Sequence, residues 1–544
     1  MALANFFSKN ALAAAQVMAG MTPEKLALIL EQERVAIAFD ARAATSAEGR
    51  TTVQLAVNLA ARLYPSLSIL LLGAENPALT QLSSEMADLA RGINPLIELG
   101  GEASEASVVV VVGDTPLEAH RKAPHLVVYS GSRNWDALIS TRTPVGCGSS
   151  NNPFGAAASA CIAMANVFRH VFSTYLETPE PDSEFSLSLF DYTLTRAAGD
   201  NGAEGSHGPE LGNYRVDLGD TILGGVGAIG NAVIWTLARL PGLSGILHLV
   251  DHENVGLTNL QRYILTNQRH LEANTAKVDV ATAVMRLASL IRNESALQVV
   301  PHRVSWAEYL RERDDFVIER VATAFDTKEA RLAVQAALPR LILNAWTQQG
   351  DLGVSRHLAF GVTPCVACIY HPRIGGKSDA ELVAEAMVVP EPAHSIRELI
   401  HSGMAVGEDF IRGVAQRRGI TDPEKLQLLL RFSTQSLREF YQEVFCGGLM
   451  LQLTGGTNPG TRVEAPIAFQ SALAGVMLAA EIVIDAGRLR SVDADAAPAR
   501  TVIDLLRPVS VYPAIVSRRQ DGHCLCEDKD YLDAYVSKYG LAAR

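Results

Sequence analysis

The chain is short of charge. Only 19% of its 544 residues are Asp, Glu, Lys or Arg, and 6% are aromatic. Forty-seven basic residues stand against 59 acidic ones, a formal net charge of -12. No basic excess is there to neutralise a phosphate backbone or an anionic bilayer. That excludes nucleic acid or such a membrane as the main partner and leaves room for a basic protein partner. Long hydrophobic runs are missing too: no stretch of roughly 18 apolar residues is free of charge, so no membrane span is expected. The N-terminus, MALANFFSKNALAAAQVMAGM, is apolar but lacks a basic leading segment. It runs into TPEKLALIL, a helix start with Thr22 as cap and Pro23 at the first position. The chain is read as cytoplasmic. Cysteine is scarce, with seven residues. Four form two tight pairs, Cys365/Cys368 and Cys524/Cys526, and in a reducing compartment such pairs point to metal rather than disulfides.

What the chain does have is core. Hydrophobic residues make up 48%, and the length implies two or three domains. The second half alternates strand and helix. DTILGGVGAIG is a strand running into a glycine turn, NAVIWTLARL a helix, ILHLVD, VATAFD and LILNAW further strands. The first half repeats the order with RVAIAFD, TTVQLAVNLAARLYP, LSILLLG, SVVVVVGD and HLVVYSG. Each half then has a late alanine-rich helix, PFGAAASACIAMANVFRHVF and PIAFQSALAGVMLAAEIVIDAG. This predicts an α/β fold duplicated within the chain, each copy a largely parallel Rossmann-like sheet. Where the second copy has GGVGAIG the first has ARAATSAEGR. One glycine does not allow the close backbone approach that phosphates need, so the first copy reads as inactive. Between about 373 and 445 lies a helical insertion, with Asp422-Pro423 as one helix start.

Gly225, Gly227 and Gly230 form GxGxxG after a strand and at the mouth of a helix, whose free N–H groups and dipole suit phosphate. Asp251 ends the next strand, placed to hold ribose hydroxyls. These residues alone say only dinucleotide or ATP. The run that follows, DHENVGLTNLQR, is similar to the aspartate-x-aspartate…asparagine-leucine-glutamine-arginine segment of the ThiF/MoeB and ubiquitin-activating enzyme family. Lys277 follows at about the family's distance, and FDTKEAR, with Asp326 and Arg331, resembles its "TDN…R" segment. TPCVACIYHP resembles its zinc half-site, and PIAFQSALAGVMLAAEIV its closing helix. The resemblance spans roughly 215–530, in order. Glu253 replaces the usual second aspartate, Thr327 the usual asparagine, and the last cysteine pair is CxC instead of CxxC.

The resemblance implies an inactive adenylation domain at 1–205, an active one at 206–372 and 446–544, and the insertion 373–445 beside a catalytic cysteine. It implies ATP, Mg²⁺ and Zn²⁺ as cofactors. The chemistry fits the residue types. A C-terminal carboxylate with a pKa of about 3.5 is already ionised and needs no general base. The obstacle is repulsion from the triphosphate, so the site must supply cations and fixed donors. Arg262 and Lys277 are the cations, Asn259 and Gln261 the orienting donors, Gly225, Gly227, Gly230, Asp251 and Glu253 the nucleotide contacts, and Asp326 the Mg²⁺ ligand. An arginine from the first half often completes the site in the family; Arg34, Arg42 and Arg50 are the candidates. Cys365, Cys368, Cys524 and Cys526 would hold zinc.

Cys446, in EVFCGGLM, is the candidate nucleophile, and the glycines beside it permit close approach of a substrate tail. Cys161 reads as core, and Cys147 as a loop residue of the inactive half. His248, His252 and His371 read as structural. The layout resembles the bacterial two-half ubiquitin-activating-like enzymes of Bil-type antiviral operons. The expected partners are a ubiquitin-like protein and a conjugating enzyme that docks on a surface other than a C-terminal ubiquitin-fold domain; the oligomeric state is monomer or homodimer. Other readings keep adenylation without a thioester, acting on a sulfur-carrier protein or peptide, or make the chain an oxidoreductase or a scaffold. The oxidoreductase reading leaves Arg262, Lys277, Asp326 and the cysteine pairs without a purpose.

Overall fold

The computed structural model describes residues 3–117, 126–196, 208–211, 215–294, 296–313, 315–370, 379–446, 449–454, 466–490, 499–520 and 522–540. Two eight-stranded sheets carry most of the fold. The first contains β1 (Val35–Phe39), β2 (Ser66–Leu71), β3 (Glu98–Leu99), β4 (Val108–Val112), β5 (Leu126–Arg133), β6 (Asp136–Ser140), β7 (Phe185–Ser188) and β8 (Leu194–Arg196). The second contains β9 (Val216–Gly224), β10 (Leu243–Val250), β11 (Leu297–His302), β12 (Arg320–Thr323), β13 (Leu341–Thr347), β14 (Asp351–His357), β15 (Arg500–Asp504) and β16 (Ser510–Pro513).

The strand orders are β3-β2-β1-β4-β5-β6-β7-β8 and β11-β10-β9-β12-β13-β14-β15-β16, one topology used twice. In each, the first five strands pair in parallel and the last three add antiparallel. The parallel strands read as continuous apolar runs because helices cover both faces; all of Val108–Val112 is buried. The order reverses between β1 and β4, and again between β9 and β12. Crevices for ligands open at such switch points, beyond the carboxyl ends of the strands.

The late helices Phe154–Val171 and Ala468–Ala486 pack on each other at the centre, with Phe168 and Phe469 edge to face at 5.6 Å. Ala468–Ala486 is long and apolar enough to cross a bilayer, yet it is a core helix here. Gly475 explains its close fit: a Cβ there would lie 2.4 Å from the Ala232 Cβ on helix Ala228–Leu237. Buried polar bridges tie the halves together. Arg169 pairs with Asp182 at 2.6 Å and donates to the Leu505 carbonyl at 2.9 Å, and the Tyr192 hydroxyl donates to Glu481 at 2.7 Å.

The chain divides into compact units that differ from the expected boundaries. One unit holds both sheets and comprises Met1–Ala4, Glu33–His371 and Ala468–Arg544. The other comprises Asn5–Gln32 and Pro372–Ile467. Residues 5–32 are therefore corrected out of the first domain, and the closing part starts at 468 instead of 446. The reason is packing: helix Phe7–Val17, with Ala11–Ala14 buried, lies on Leu449–Thr454 of the insertion. Asp422 caps Pro423–Leu430 through the Glu424 N–H at 2.9 Å. Phe410, Phe432 and Phe445 each meet Phe440, with ring centroids 6.1 to 6.5 Å apart, as this unit's aromatic core.

Candidate nucleotide site

The crevice of the second sheet is built from the glycine turn outwards. Gly225 has φ +90°, and a Cβ there would lie 2.9 Å from the backbone of Ala324 and Phe325 on the neighbouring strand end. Gly227 is the N-cap of helix Ala228–Leu237. A Cβ at Gly230 would sit 2.2 Å from the Gly225 carbonyl oxygen, so the helix abuts its own loop. Gly225 N donates to Val250 O at 3.0 Å, so the amides left for a ligand are those of the first turn of helix Ala228–Leu237, with the helix dipole behind them.

Asp251 leaves β10 beside this loop. One carboxylate oxygen accepts from Val226 N at 2.8 Å, the other from Glu253 N at 2.9 Å. Burial raises the Asp251 pKa, against the pull of Lys277 and these N–H groups. The segment that follows is folded back on itself: Val255 N donates to Thr275 O at 2.9 Å and Lys277 N to Glu253 O at 3.0 Å. This brings Lys277, 4% exposed, to the Glu253 carboxylate and within 3.2 Å of the Tyr263 hydroxyl. Burial works against the lysine charge, but Tyr263, Asp251 and Glu253 outweigh it and hold its pKa above the ordinary lysine value.

Asn259 and Gln261 lie on the 3-10 turn Leu257–Gln261, which Arg262 closes. Asn259 Oδ1 accepts from Gly256 N at 2.8 Å and fixes the turn. Arg262 stands 5.5 Å from the Tyr263 ring centroid, and Lys277 Nζ 5.1 Å from it. Asp326 is exposed just past β12, beside the Ala324 and Phe325 backbone that Gly225 approaches. Thr327 accepts from Ala330 N at 3.3 Å and caps the next helix. Arg331 is instead buried, donating to Asn344 and, at 2.8 Å, to the Ala345 carbonyl, which anchors the helix to β13.

Two residues absent from the sequence reading complete this cluster. Tyr263 bridges Lys277 and the glycine turn, since its hydroxyl would meet a Gly227 Cβ at 3.3 Å. Buried Asn231 donates to Val226 O at 2.8 Å and Gly227 O at 3.1 Å, and accepts from Leu265 N at 3.2 Å. Tyr263 adjoins the quoted motif, and Asn231 follows its last glycine. Motif spacing alone does not show which loop either one touches.

The first sheet has the same crevice, filled. Register places Phe39 opposite Val112 and Gly224 opposite Thr323, so Asp40 corresponds to Gly225. Asp40 is 4% exposed and accepts from Ala43 N at 2.9 Å, Asp114 N at 2.7 Å, Thr115 N at 2.8 Å and the Thr115 hydroxyl at 2.9 Å. The protein's own carboxylate takes the donors that a phosphate would use. Leu71 pairs with Phe39 as Val250 pairs with Gly224, which puts Leu72 where the second half has Asp251.

Arg34 donates to Gly100 O at 2.5 Å, Arg42 to Cys147 O at 3.2 Å, and Arg50 pairs with Glu85 at 2.7 Å. These contacts lie within the first half. Cys147 is buried, and burial, with Asp40, Glu48 and Asp114, pushes its thiol up to about 12. Cys161 is fully buried in its helix, with a pKa raised by burial. Cys446 ends a π-helical turn, Tyr441–Cys446; its side chain lies outside the described part of the structure, as does His371. His252 is exposed, whereas His248 Nδ1 lies 2.9 Å from His302 Nε2.

The four remaining cysteines meet in space. Five of their Sγ–Sγ separations are 3.6 or 3.7 Å, far beyond the ~2.05 Å of a disulfide. Four thiolates on a tetrahedron with Zn–S bonds of about 2.3 Å stand ~3.8 Å apart, so the residues fit zinc. The cluster joins the start of helix Val366–Tyr370 to the turn before Lys529–Tyr539.

Comparison with known proteins gives the family. The family model described as ThiF family matches residues 212–486, and one described as Prokaryotic E2 family C matches 38–173. A Sinorhizobium fredii protein described as "Uncharacterized protein y4jF" is 41% identical over 547 residues, covering 99% of this chain and 98% of its own. The crystal structure of E. coli MccB with MccA-N7isoASN is 14% identical with a TM-score of 0.32, over 58% of this chain and 68% of that one. MccB with AMPCPP and SeMet MccA gives 14% and 0.32, over 56% and 65%.

Proposed function

The chain belongs to the ThiF family, whose members adenylate carboxylates with ATP, and we propose that it activates the C-terminal carboxylate of a ubiquitin-like protein. One observation carries this reading: the second crevice gathers an open glycine turn, Asp251 and the buried Lys277, while Asp40 fills the first crevice. The second half is thus the adenylating half.

In this reading the triphosphate lies along the glycine turn at the N-terminus of helix Ala228–Leu237, and Asp251 takes the ribose. Lys277 and Arg262 lower the repulsion between the incoming carboxylate and the phosphates. Lys277 rests on Glu253 and Tyr263, so it is aimed before the nucleotide arrives. A carboxylate oxygen forms a bond to the α-phosphorus, and the bond to the bridging oxygen breaks, releasing pyrophosphate. Gln261 and Asn259 orient the groups. Asp326, exposed at the mouth, would hold Mg²⁺, which takes one or two carboxylates together with phosphate oxygens and water and supplies charge at the phosphates.

The thiolate of Cys446 then attacks the acyl carbon. AMP leaves, the thioester stays on the enzyme, and a conjugating enzyme receives it. The π-helical turn that ends at Cys446 supports this, because such turns are rare and gather at functional sites. The match of 38–173 to an E2 description raises the alternative of a nucleophile in the first half. Cys147 is unsuited, being buried with its thiol pushed up to about 12. The structural zinc, a cytoplasmic setting that keeps its thiols reduced, and a role in antiviral defence belong to the same reading.

The test is pyrophosphate release and intact mass, with ATP·Mg²⁺ and a ubiquitin-like protein encoded beside this chain. The expected result is pyrophosphate together with a reductant-labile adduct of the partner's mass, lost in Cys446→Ala. Pyrophosphate without an adduct would leave adenylation alone, as in the sulfur-carrier or peptide reading.

A further inference from the structure

The first half keeps no open nucleotide crevice, yet one of its arginines reaches across to the second. Arg62, 1% exposed, follows helix Ala47–Ala61. Its guanidinium donates to the carbonyls of Leu260 and, at 3.0 Å, of Thr266, and at 2.9 Å to Asn58 Oδ1. Asn58 in turn donates to Ile264 O at 2.9 Å. Three carbonyls of one loop are thus fixed from a helix about two hundred residues away in sequence. Between them lie Gln261, Arg262 and Tyr263. On its other side the same loop is tied through Leu265 N to Asn231, and through Asn231 to the glycine turn.

We propose that Arg62, with Asn58, is a positioning residue for adenylation: it holds residues 260–266 so that Arg262 and Tyr263 face the phosphates. This rests on the adenylation reading above. It also accounts for an inactive half being kept, since the loop has its outer wall there.

The internal duplication supplies a control. Arg239 lies just past the corresponding helix, Ala228–Leu237, and is partly buried in the joint between halves. It donates to Gln54 Oε1 at 2.9 Å and to Trp235 O at 2.8 Å, with its guanidinium carbon 3.4 Å from the Trp235 ring centroid. Burial lowers the pKa of both arginines to about 9. They differ in what they can reach. Residues 72–76 link β2 to its helix in the first half, against 251–276 in the second, so Arg239 has no equivalent phosphate-facing loop to hold.

The experiment uses the full chain and two readouts: the dissociation constant of ATP·Mg²⁺, and hydrogen exchange of the 260–266 amides without nucleotide. Arg62→Gln is expected to weaken ATP about ten-fold or more, the equivalent of one or two lost hydrogen bonds to a charged group. It should also speed exchange across 260–266. Arg62→Lys should not rescue, because an ammonium cannot fork to both carbonyls. Arg239→Gln should lose similar thermal stability while ATP affinity stays within about two-fold, as for a site with no phosphate contact. Should Arg62→Gln not fold, Asn58→Ala is the milder variant, expected to shift both readouts in the same direction. Equal effects of Arg62→Gln and Arg239→Gln on ATP affinity would overturn the proposal, as would unchanged exchange at 260–266. If the wild type binds no ATP, the adenylation reading fails, and the exchange measurement still decides whether Arg62 holds the loop.

Discussion

Asp40 stands in the first sheet where Gly225 stands in the second. Both follow the first strand of their sheet at the switch point, one residue past Phe39 and Gly224. The glycine puts no side chain into its crevice, whereas the aspartate accepts four hydrogen bonds in its own. A single position thus separates an open anion site from a filled one.

Substitution at either position should act in opposite senses. Gly225→Ala puts a side chain at φ +90° against the Ala324 and Phe325 backbone. The strain is about 1–2 kcal/mol before any clash, so ATP affinity should fall about ten-fold or more in a titration with a non-hydrolysable analogue. Asp40→Ala strands three backbone donors and should lose about 2–4 kcal/mol in urea unfolding. Its KM for ATP should not change.

Lys277 and Tyr263 separate charge from positioning. Lys277→Ala removes the buried cation and should lower the adenylation rate about 10²–10³-fold, the range seen when one preorganised charge-stabilising donor is lost. Tyr263→Phe keeps the ring under Lys277 and Arg262 and loses only the 3.2 Å hydrogen bond, so its effect should be under about ten-fold. Pyrophosphate release at saturating ATP measures both.

The cysteine tetrad should contain one zinc per chain by elemental analysis. Zinc in such sites is held with an apparent free energy on the order of 10 kcal/mol at neutral pH. A chelator should therefore lower the melting temperature, and Cys526→Ser should purify with little zinc. A metal-free chain of unchanged stability would contradict the assignment.

The His248–His302 pair should make stability depend on pH. Burial lowers both pKa values; Asp220 raises that of His248, and His302 and Arg313 lower it further, while Glu312 raises and Arg313 lowers that of His302. Tyr309 packs on both rings. A folded-state pKa below the unfolded value means that the unfolded chain takes up the proton first. The stabilisation is present above the ordinary histidine pKa of about 6.5 and is lost as pH falls below it. Urea midpoints should drop between pH 7 and pH 5.5, and His302→Gln should flatten the slope.

Local signals were legible in the sequence. Glycine spacing, the apolar strands and the order of motifs gave the duplicated fold and placed Gly225, Asp251 and Lys277 on neighbouring segments. Contacts between the halves were not legible. Arg62 and Asn58 lie in an ordinary amphipathic stretch, and only packing shows that they reach residues 260–266. Asp40 looked like a strand end because its donors come from 43, 114 and 115. Residues 5–32 read as part of the first half because adjacency in sequence hides their partner, Leu449–Thr454. Arg331 matched a family segment, but its side chain turns inward to β13.

The most direct test of the account is ATP–pyrophosphate exchange that depends on the partner's free C-terminal carboxylate, compared between the wild type and Lys277→Ala. Exchange is expected in the wild type, none when the partner's terminus is amidated, and a loss of about 10²-fold or more in Lys277→Ala. Undiminished exchange in Lys277→Ala, or exchange indifferent to the terminal carboxylate, would contradict the assignment of the second crevice as the adenylating site.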